Sequence, residues 1–269
     1  MDSTGSTNAD LLRSVMVEPA AWPDLAVLTA EYQTAARGRL DRRWEAPPLS
    51  SVSVSVVLRP VNADGRPLPT QSYSWLSLIA ALAMRETLLE TAGIAAELKW
   101  PNDVLVRGRK IAGILAQLGP MVDGNVPPII LGTGLNVTLR ESELGVPTAT
   151  SVAIEGATTT DRTALLKSYL SHFAVLYRSF CNADGDPTAG MAGGLRCTKG
   201  WRPSWSPWES RCARLPGDHE IIGHASRLDD YGSLLVVDRD SHEHVVTAGD
   251  VVHLRPWTSP DAPNQGGYA

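Results

Sequence analysis

The residue types best suited to chemistry lie in one run, Lys99-Trp100-Pro101-Asn102-Asp103-Val104-Leu105-Val106-Arg107-Gly108-Arg109-Lys110-Ile111-Ala112-Gly113-Ile114-Leu115. Pro101 fixes φ and the Asn102 and Asp103 side chains bond back to the local backbone, so Pro-Asn-Asp reads as a tight turn. Val104–Val106 and Lys110–Leu115 read as strands joined through Arg107-Gly108-Arg109 in a hairpin. The Lys110 ammonium then sits at a sheet end, where a ligand can reach it. Gly113 leaves a gap in its strand where a ligand or another backbone approaches closely. Taken singly, a strand-end lysine is also a solvated edge guard, and Asp103 is also a turn cap.

A second run, Glu31 to Trp44, places Arg37, Arg39, Arg42 and Arg43 within seven residues of a chain whose net charge is −5. It follows a strand and reads as a loop, so the guanidiniums converge. Arginine forks match phosphate and carboxylate oxygens bidentately. On charge alone the run is a solvated basic loop or a nucleic-acid contact. Gly38, between Arg37 and Arg39, turns the reading toward a ligand, because glycine allows close backbone approach and φ values other residues avoid.

These two runs resemble the signatures of biotin protein ligases. Arg37-Gly38-Arg39, Arg42 and Trp44 match the family's G-R-G-R-x-G-R-x-W loop, with Ala36 and Asp41 standing where the family has glycine. Ser6-Thr7-Asn8 matches its S-T-N, and Gln33 the glutamine before the arginine loop. Gly132-Thr133-Gly134-Leu135-Asn136 matches its G-x-G-x-N, and Thr150-Ser151 a downstream T-S. The resemblance covers about residues 5–151 with motifs in order, and 215–255 weakly.

The resemblance implies an α/β (α+β) fold of the class II aminoacyl-tRNA synthetase and biotin/lipoate ligase type. A mixed sheet with flanking helices would be followed by a small C-terminal SH3-like β-barrel. It implies ATP-dependent activation of biotin as biotinyl-5′-AMP, and transfer to the lysine of a biotin carboxyl carrier domain of an acyl-CoA or pyruvate carboxylase. Lys110, Arg39 and Asp103 would be catalytic. Ser6, Thr7, Asn8, Gln33, Arg37, Gly38, Arg39, Lys110 and Gly113 would hold biotin. Arg37, Arg39, Arg42, Trp44, Lys99, Asn102, Lys110 and Asn136 would hold ATP and the adenylate, with Asp103 and Asn136 as Mg²⁺ ligands. A lipoate–protein ligase shares fold and chemistry, but its pocket has no use for Gln33 beside Ser6-Thr7-Asn8. A biotin-binding non-catalytic sensor fits Ala36 and Asp41, while the retained Lys110 and Arg39 speak against it. With S-T-N beginning at Ser6, the expectation is a ligase without a DNA-binding repressor domain, a monomer or weak homodimer with no nucleic-acid or membrane partner. The strand that precedes S-T-N in the family is missing, which suggests a start upstream of Met1.

Composition agrees with that class. A chain of 269 residues, 43% hydrophobic and 20% charged, suffices for one large domain and a small one. Its net negative charge offers no basic field to nucleic acid or an anionic membrane. The longest apolar run, Leu78 to Met84, is far short of the roughly 20 residues a bilayer span needs, and no secretory leader opens the chain. Cys181, Cys197 and Cys212 are odd in number and lack C-x-x-C spacing, against a disulfide framework or zinc site. These features point to the cytoplasm. His242 and His244 share a strand face without a third ligand and read as surface residues.

Several elements must position the motifs. Thr7, three residues before Asp10, is a capping-box variant, so a helix starts there with its free N–H groups facing outward. Leu25–Tyr32 reads as a strand. Ser51–Val56 alternates strictly, the pattern of a half-buried strand. Trp75, Leu78, Ile79, Leu82, Leu88 and Leu89 fall at helical spacing, as do Leu165, Leu166, Leu170, Phe173, Val175 and Leu176. Pro128–Gly134 reads as a buried strand ending in a glycine-rich turn. The expected organisation is a catalytic domain over 1–185, a linker of anomalous composition over 186–212, the barrel over 213–256 and a fraying tail over 257–269. The barrel strands are expected at Ile221–Leu228, Leu234–Asp238, His244–Thr247 and Gly249–Leu254. Lys199–Arg211 gathers Trp201, Trp205 and Trp208 without either periodicity; it reads as an exposed binding loop or as a locally reading-frame-shifted or poorly selected segment, and carries no assignment.

Overall fold

The computed structural model describes residues 1–121, 126–189, 211–214, 220–247 and 253–256. Two antiparallel sheets organise the chain. The larger has the order β1-β2-β6-β5-β4-β3, formed by β1 (Val27–Ala30), β2 (Ser51–Leu58), β3 (Glu97–Lys99), β4 (Asp103–Val106), β5 (Arg109–Leu118) and β6 (Ile129–Asn136). All its ladders are antiparallel. The parallel part of the expected mixed sheet is confined to two isolated bridges, Thr4 with Gln33 and Lys110 with Ala149.

Helices cover both faces of this sheet. Val52, Val54, Val56 and Leu58 of β2 enter one core with α2 (Ser74–Ala92) and α3 (Arg162–Asn182). On the opposite face Val57 and Ile130 pack with Leu11 and Val15 of α1 (Thr7–Val17). Every residue of β2 is therefore buried, and the expectation of a half-buried strand is corrected. Ser51, Ser53 and Ser55 of its polar face are buried too, and the Ser55 hydroxyl bonds within the protein. The helical spacings recur in α2 and α3, although Leu89 and Val175 are exposed.

Local details differ in instructive ways. Ser6, one residue earlier than expected, caps α1 by accepting from Ala9 N. The strand expected over Leu25–Tyr32 shortens to β1, because Leu25 lies at φ 64, outside the extended region. The glycines expected in a turn after Leu131 lie inside β6 instead, and the strand runs on to Asn136. The hairpin expected through Arg107-Gly108-Arg109 forms with a two-residue turn, Arg107 (φ 51) and Gly108 (φ 75), because Arg109 already belongs to β5; this left-handed pair matches strand twist. Residues ahead of Ser6 run beside the end of β1, with the Met1 amino group donating to Thr29 O and Thr4 N to Tyr32 O.

The second sheet has the order β10-β9-β8-β7-β11, from β7 (Arg211–Arg214), β8 (Glu220–Leu228), β9 (Leu234–Asp238), β10 (Glu243–Val246) and β11 (His253–Pro256). It stands where the small barrel was expected. β7 was not foreseen; of the last expected strand, His253 and Leu254 lie in β11, and residues 249–252 lie outside the described residues. The β8–β9 turn docks this sheet on the first. The carbonyls of Asp230, Tyr231 and Gly232 accept in succession from Trp75 Nε1 (2.9 Å), Ser74 Oγ and Trp100 Nε1 (3.0 Å). The tryptophan-rich stretch over 199–210 and the tail over 257–269 lie outside the described residues.

Candidate active site

A cavity of about 600 Å³ opens on the α1 side of the large sheet and is lined by the α1 N-terminus, the hairpin of residues 36–44, the Lys99–Asp103 turn, β5, β6 and residues 144–149. Ser6, Thr7, Asn8, Gln33, Arg37, Gly38, Arg39, Arg42, Trp44, Lys99, Asn102, Asp103, Lys110, Gly113 and Asn136 all line it. Residues far apart in sequence are thus brought together.

The floor is made of two glycines. Gly113 on β5 and Gly134 on β6 are cross-strand partners. A Cβ on Gly134 would lie 2.8 Å from the Trp44 ring, and one on Gly113 would lie 3.4 Å from that ring and 3.0 Å from Lys110 Cε and Nζ. The indole therefore rests on bare backbone, and its Nε1 is enclosed without a hydrogen-bond partner.

Lys110 reaches this floor through a local irregularity. Val104 pairs with Ala112 but Leu105 pairs with Lys110, so Ile111 is an extra residue, a β-bulge. In a regular strand residues 110 and 113 would face opposite sides; the bulge turns Lys110 to the side of Gly113. Its Nζ lies 2.6 Å from Asp103 Oδ1 and 5.6 Å from the Trp44 ring centroid, within cation–π range. The carboxylate contact is too oblique for a hydrogen bond, and Oδ1 has no other donor.

At the α1 end the polar groups are uncharged. Asn8 Nδ2 donates to Leu115 O (3.2 Å) and Gln117 Oε1 (3.0 Å), and the Ser55 hydroxyl is shared between Asn8 Oδ1 (2.6 Å) and Thr7 Oγ1 (2.8 Å). Asn8 is thus committed to the protein and acts as a brace; a Cβ on Gly132 would strike its amide. Gln33 Oε1 accepts from Thr7 N (2.8 Å) and Thr7 Oγ1 (3.0 Å). Its NH₂ group has no partner among the described residues, so Gln33 offers donors to the cavity. Ser55 escaped sequence reasoning because its alternation was read as a solvent face.

The arginine run folds as a hairpin. Trp44 N donates to Ala36 O, Gly38 N to Arg42 O, and Arg37 bridges Arg43. Gly38 is at φ −98, so its value is not a positive φ, contrary to the expectation. Ala36 is buried at an unstrained angle. Leu40 and Asp41, both at φ 56, occupy the left-handed region at the tip. Asp41 pairs with Arg37 at 2.8 Å rather than with Arg39 or Arg42, and both partners are exposed. Burial lowers the Arg39 pKa, Asp103 opposes that shift and Arg42 adds to it. Asn102 braces its own turn, donating to Ile114 O at 2.7 Å. Asn136 Nδ2 donates to Thr150 O (2.9 Å). Far from the cavity, the His244 ring and the backbone N–H of His242 converge on Asp238, whose carboxyl the His244 hydrogen bond holds down at about 2.

A model of the Biotin/lipoate A/B protein ligase family matches residues 3–136. Over 94% of its length the chain is 38% identical to a Biotin--[acetyl-CoA-carboxylase] ligase of Mycobacterium tuberculosis, covering 87% of that protein. The chain belongs to the biotin protein ligase family. A Biotin--[acetyl-CoA-carboxylase] ligase of Paracoccus denitrificans is 33% identical over 87% of the chain and 91% of that protein. In fold it is similar to the biotin protein ligase of Aquifex aeolicus in complex with biotin and ATP. That likeness has a TM-score of 0.71 at 24% identity and covers 96% of this chain and 97% of that one. As a member of this family, the chain keeps a glycine floor, a lysine and an arginine hairpin in one cavity, while its hairpin carries alanine and aspartate at positions 36 and 41.

Proposed function

We propose that the protein is an ATP-dependent biotin–protein ligase acting on a biotin carrier domain of a carboxylase. The observation that carries this reading is the two-part lining of one cavity. An uncharged hydrogen-bonding corner at Thr7 and Gln33 adjoins a cationic wall of Lys110, Arg39 and Arg42. Such a cavity suits a ligand with a neutral polar head and a carboxylate to be activated. A buried ureido ring needs a full set of partners, and Gln33 offers donors for its carbonyl.

In the first step the biotin carboxylate oxygen attacks the α-phosphorus of ATP, the bond to the β-phosphate breaks and pyrophosphate leaves. Two anions must approach, so fixed positive charge is needed where negative charge accumulates. Lys110 serves the carboxylate and α-phosphate, while Arg39 and Arg42 hold phosphate oxygens and shield the mixed anhydride from water. In the second step the carrier lysine nitrogen attacks the acyl carbon, the bond to AMP breaks and the amine proton passes to solvent. Asp103 is the carboxylate placed to orient that amine. The oxygens of Asp103 and Asn136 suit a hard cation such as Mg²⁺, which takes few protein carboxylates and accompanies phosphates; it would screen the triphosphate. Lys99, Asn102 and Trp44 line the nucleotide side in this reading.

Acyl-CoA carboxylases are the first place to seek the carrier, and pyruvate carboxylase the second. A cytoplasmic monomer or weak homodimer is the accompanying reading; among the described residues no helix is long and apolar enough to cross a membrane. Residues 1–185 are read as the catalytic domain and 213–256 as the appended module. Incubation with labelled biotin, ATP and a purified carrier domain tests the proposal. Label on the carrier lysine that depends on ATP is expected; pyrophosphate release without biotin, or label from lipoate in its place, would overturn it.

A further inference from the structure

The Glu155 side chain is 1% exposed, in a loop behind the Lys110 end of β5. Its Oε1 accepts from Thr150 Oγ1 (2.6 Å) and Arg109 Nη2 (2.8 Å). Its Oε2 lies 3.7 Å from Arg107 Nε and makes no hydrogen bond. An enclosed carboxylate is costly unless its partners hold it, so its placement here calls for a reason. Both groups it binds through Oε1 flank Lys110. Arg109 precedes Lys110 in the strand. Thr150 belongs to the segment that takes the Lys110 backbone: Lys110 N donates to Thr148 O (2.7 Å), and Thr150 N donates to Lys110 O (2.9 Å).

Alternation directs Arg109 and Lys110 to opposite sides of β5. Holding Arg109 down on Glu155 therefore holds Lys110 up toward the cavity. The ladder with β4 cannot do this alone, because it is interrupted by the bulge at Ile111. We propose that Glu155 is a positioning residue for Lys110, fixing the bulged strand end so that the ammonium stands beside Asp103 in the cavity. The inference rests on the ligase reading for its kinetic consequence, but not for its geometric one.

Glu155→Gln keeps the shape but removes the charge that holds Arg109, which is partly exposed and can turn toward Glu141, 3.9 Å away, or water without unfolding the loop. Misplacement of a reacting group by about 1 Å costs up to about a hundredfold. The expected result is a fall of about tenfold or more in the turnover number for biotin-dependent pyrophosphate release, with the KM for biotin little changed. In a Lys110→Ala background Glu155→Gln should add nothing, whereas a merely structural role would lower both rates. A second readout needs no turnover. An acylating reagent, quantified by peptide mass spectrometry, should label Lys110 faster in Glu155→Gln, while the exposed Lys167 is labelled equally. Arg109→Gln is the second variant and should move both readouts the same way should Glu155→Gln not fold. Unaltered Lys110 labelling in the folded variant overturns the proposal, whatever the rate. A parent protein that releases no pyrophosphate with biotin would overturn the ligase reading, and the labelling comparison would still decide the role of Glu155.

Discussion

Lys110 and Gly113 face the same cavity although they stand three positions apart in one strand. Ile111 is the extra residue that makes this so. The lysine stem then lies over the glycine, within 3.0 Å of where a Cβ would be, and the sheet gives up regularity to bring an ammonium to its cavity face.

Gly113→Ala should therefore act on chemistry more than on folding. The added methyl meets the far end of a flexible lysine rather than backbone, so Lys110 shifts. Adenylate formation should fall by about tenfold or more, with a melting temperature close to that of the parent. Calorimetry alongside pyrophosphate release checks this; a large loss of stability at unchanged rate would contradict it.

Lys110→Gln should lower adenylate formation by on the order of a hundredfold or more, the scale for losing a preorganised charged contact. The fold should survive, since Lys110 is partly exposed. A rate within a few-fold of the parent would remove Lys110 from the mechanism.

Ser55→Ala removes the hydroxyl that donates to Asn8 Oδ1, its sole donor among the described residues. Leaving a buried acceptor unpaired costs about 1–3 kcal/mol. Chemical denaturation should report that loss, and the KM for biotin should rise because Thr7 and Gln33 lose a brace.

At the hairpin tip, Asp41→Gly relieves a residue at φ 56, whereas Ala36→Gly relieves nothing. A non-glycine residue there costs about 1 kcal/mol or more, against about 0–1 kcal/mol for the exposed pair with Arg37. Asp41→Gly is expected to hold or improve biotin affinity, and Ala36→Gly to weaken it by loosening the hairpin root. Titration calorimetry separates the two.

Burial pushes the Cys181 thiol up to about 11, with the Tyr177 hydrogen bond acting against that shift. The folded state thus favours the neutral thiol. The sign follows: this contribution is intact below the usual thiol range near 8.5 and is lost as pH rises from there through about 11. Iodoacetamide at pH 8 should modify Cys181 at least about tenfold more slowly in native than in denatured protein, read by peptide mapping.

Much of the site could be read from motif residues because their chemistry is local. The Lys99–Leu115 run announces its hairpin through Pro101, Gly108 and two apolar stretches, and each appears in the structure. What escaped depended on the third dimension. Ser51, Ser53 and Ser55 look like a wet strand face, yet all three are buried, Ser55 beneath Thr7 and Asn8 of α1. Gly132 and Gly134 look like a turn, because nothing nearby in sequence reveals that Asn8 and Trp44 need the missing Cβ atoms. Glu155 sits far from Lys110 in sequence, and the bulge that ties their roles together leaves no mark in composition. Asp41 has arginines on both sides in sequence, and only the hairpin geometry selects Arg37 as its partner.

The β8–β9 turn offers three successive carbonyls to Trp75, Ser74 and Trp100, and both tryptophans are wholly enclosed. Removing the second sheet would take the acceptors from two indole N–H groups and uncover the apolar surface around them, one of them within the Lys99–Asp103 turn of the cavity. A chimera carrying a foreign C-terminal module would consequently need more than a compatible surface. It would have to present main-chain oxygens at the spacing of Asp230, Tyr231 and Gly232, making that turn a key that any replacement must copy.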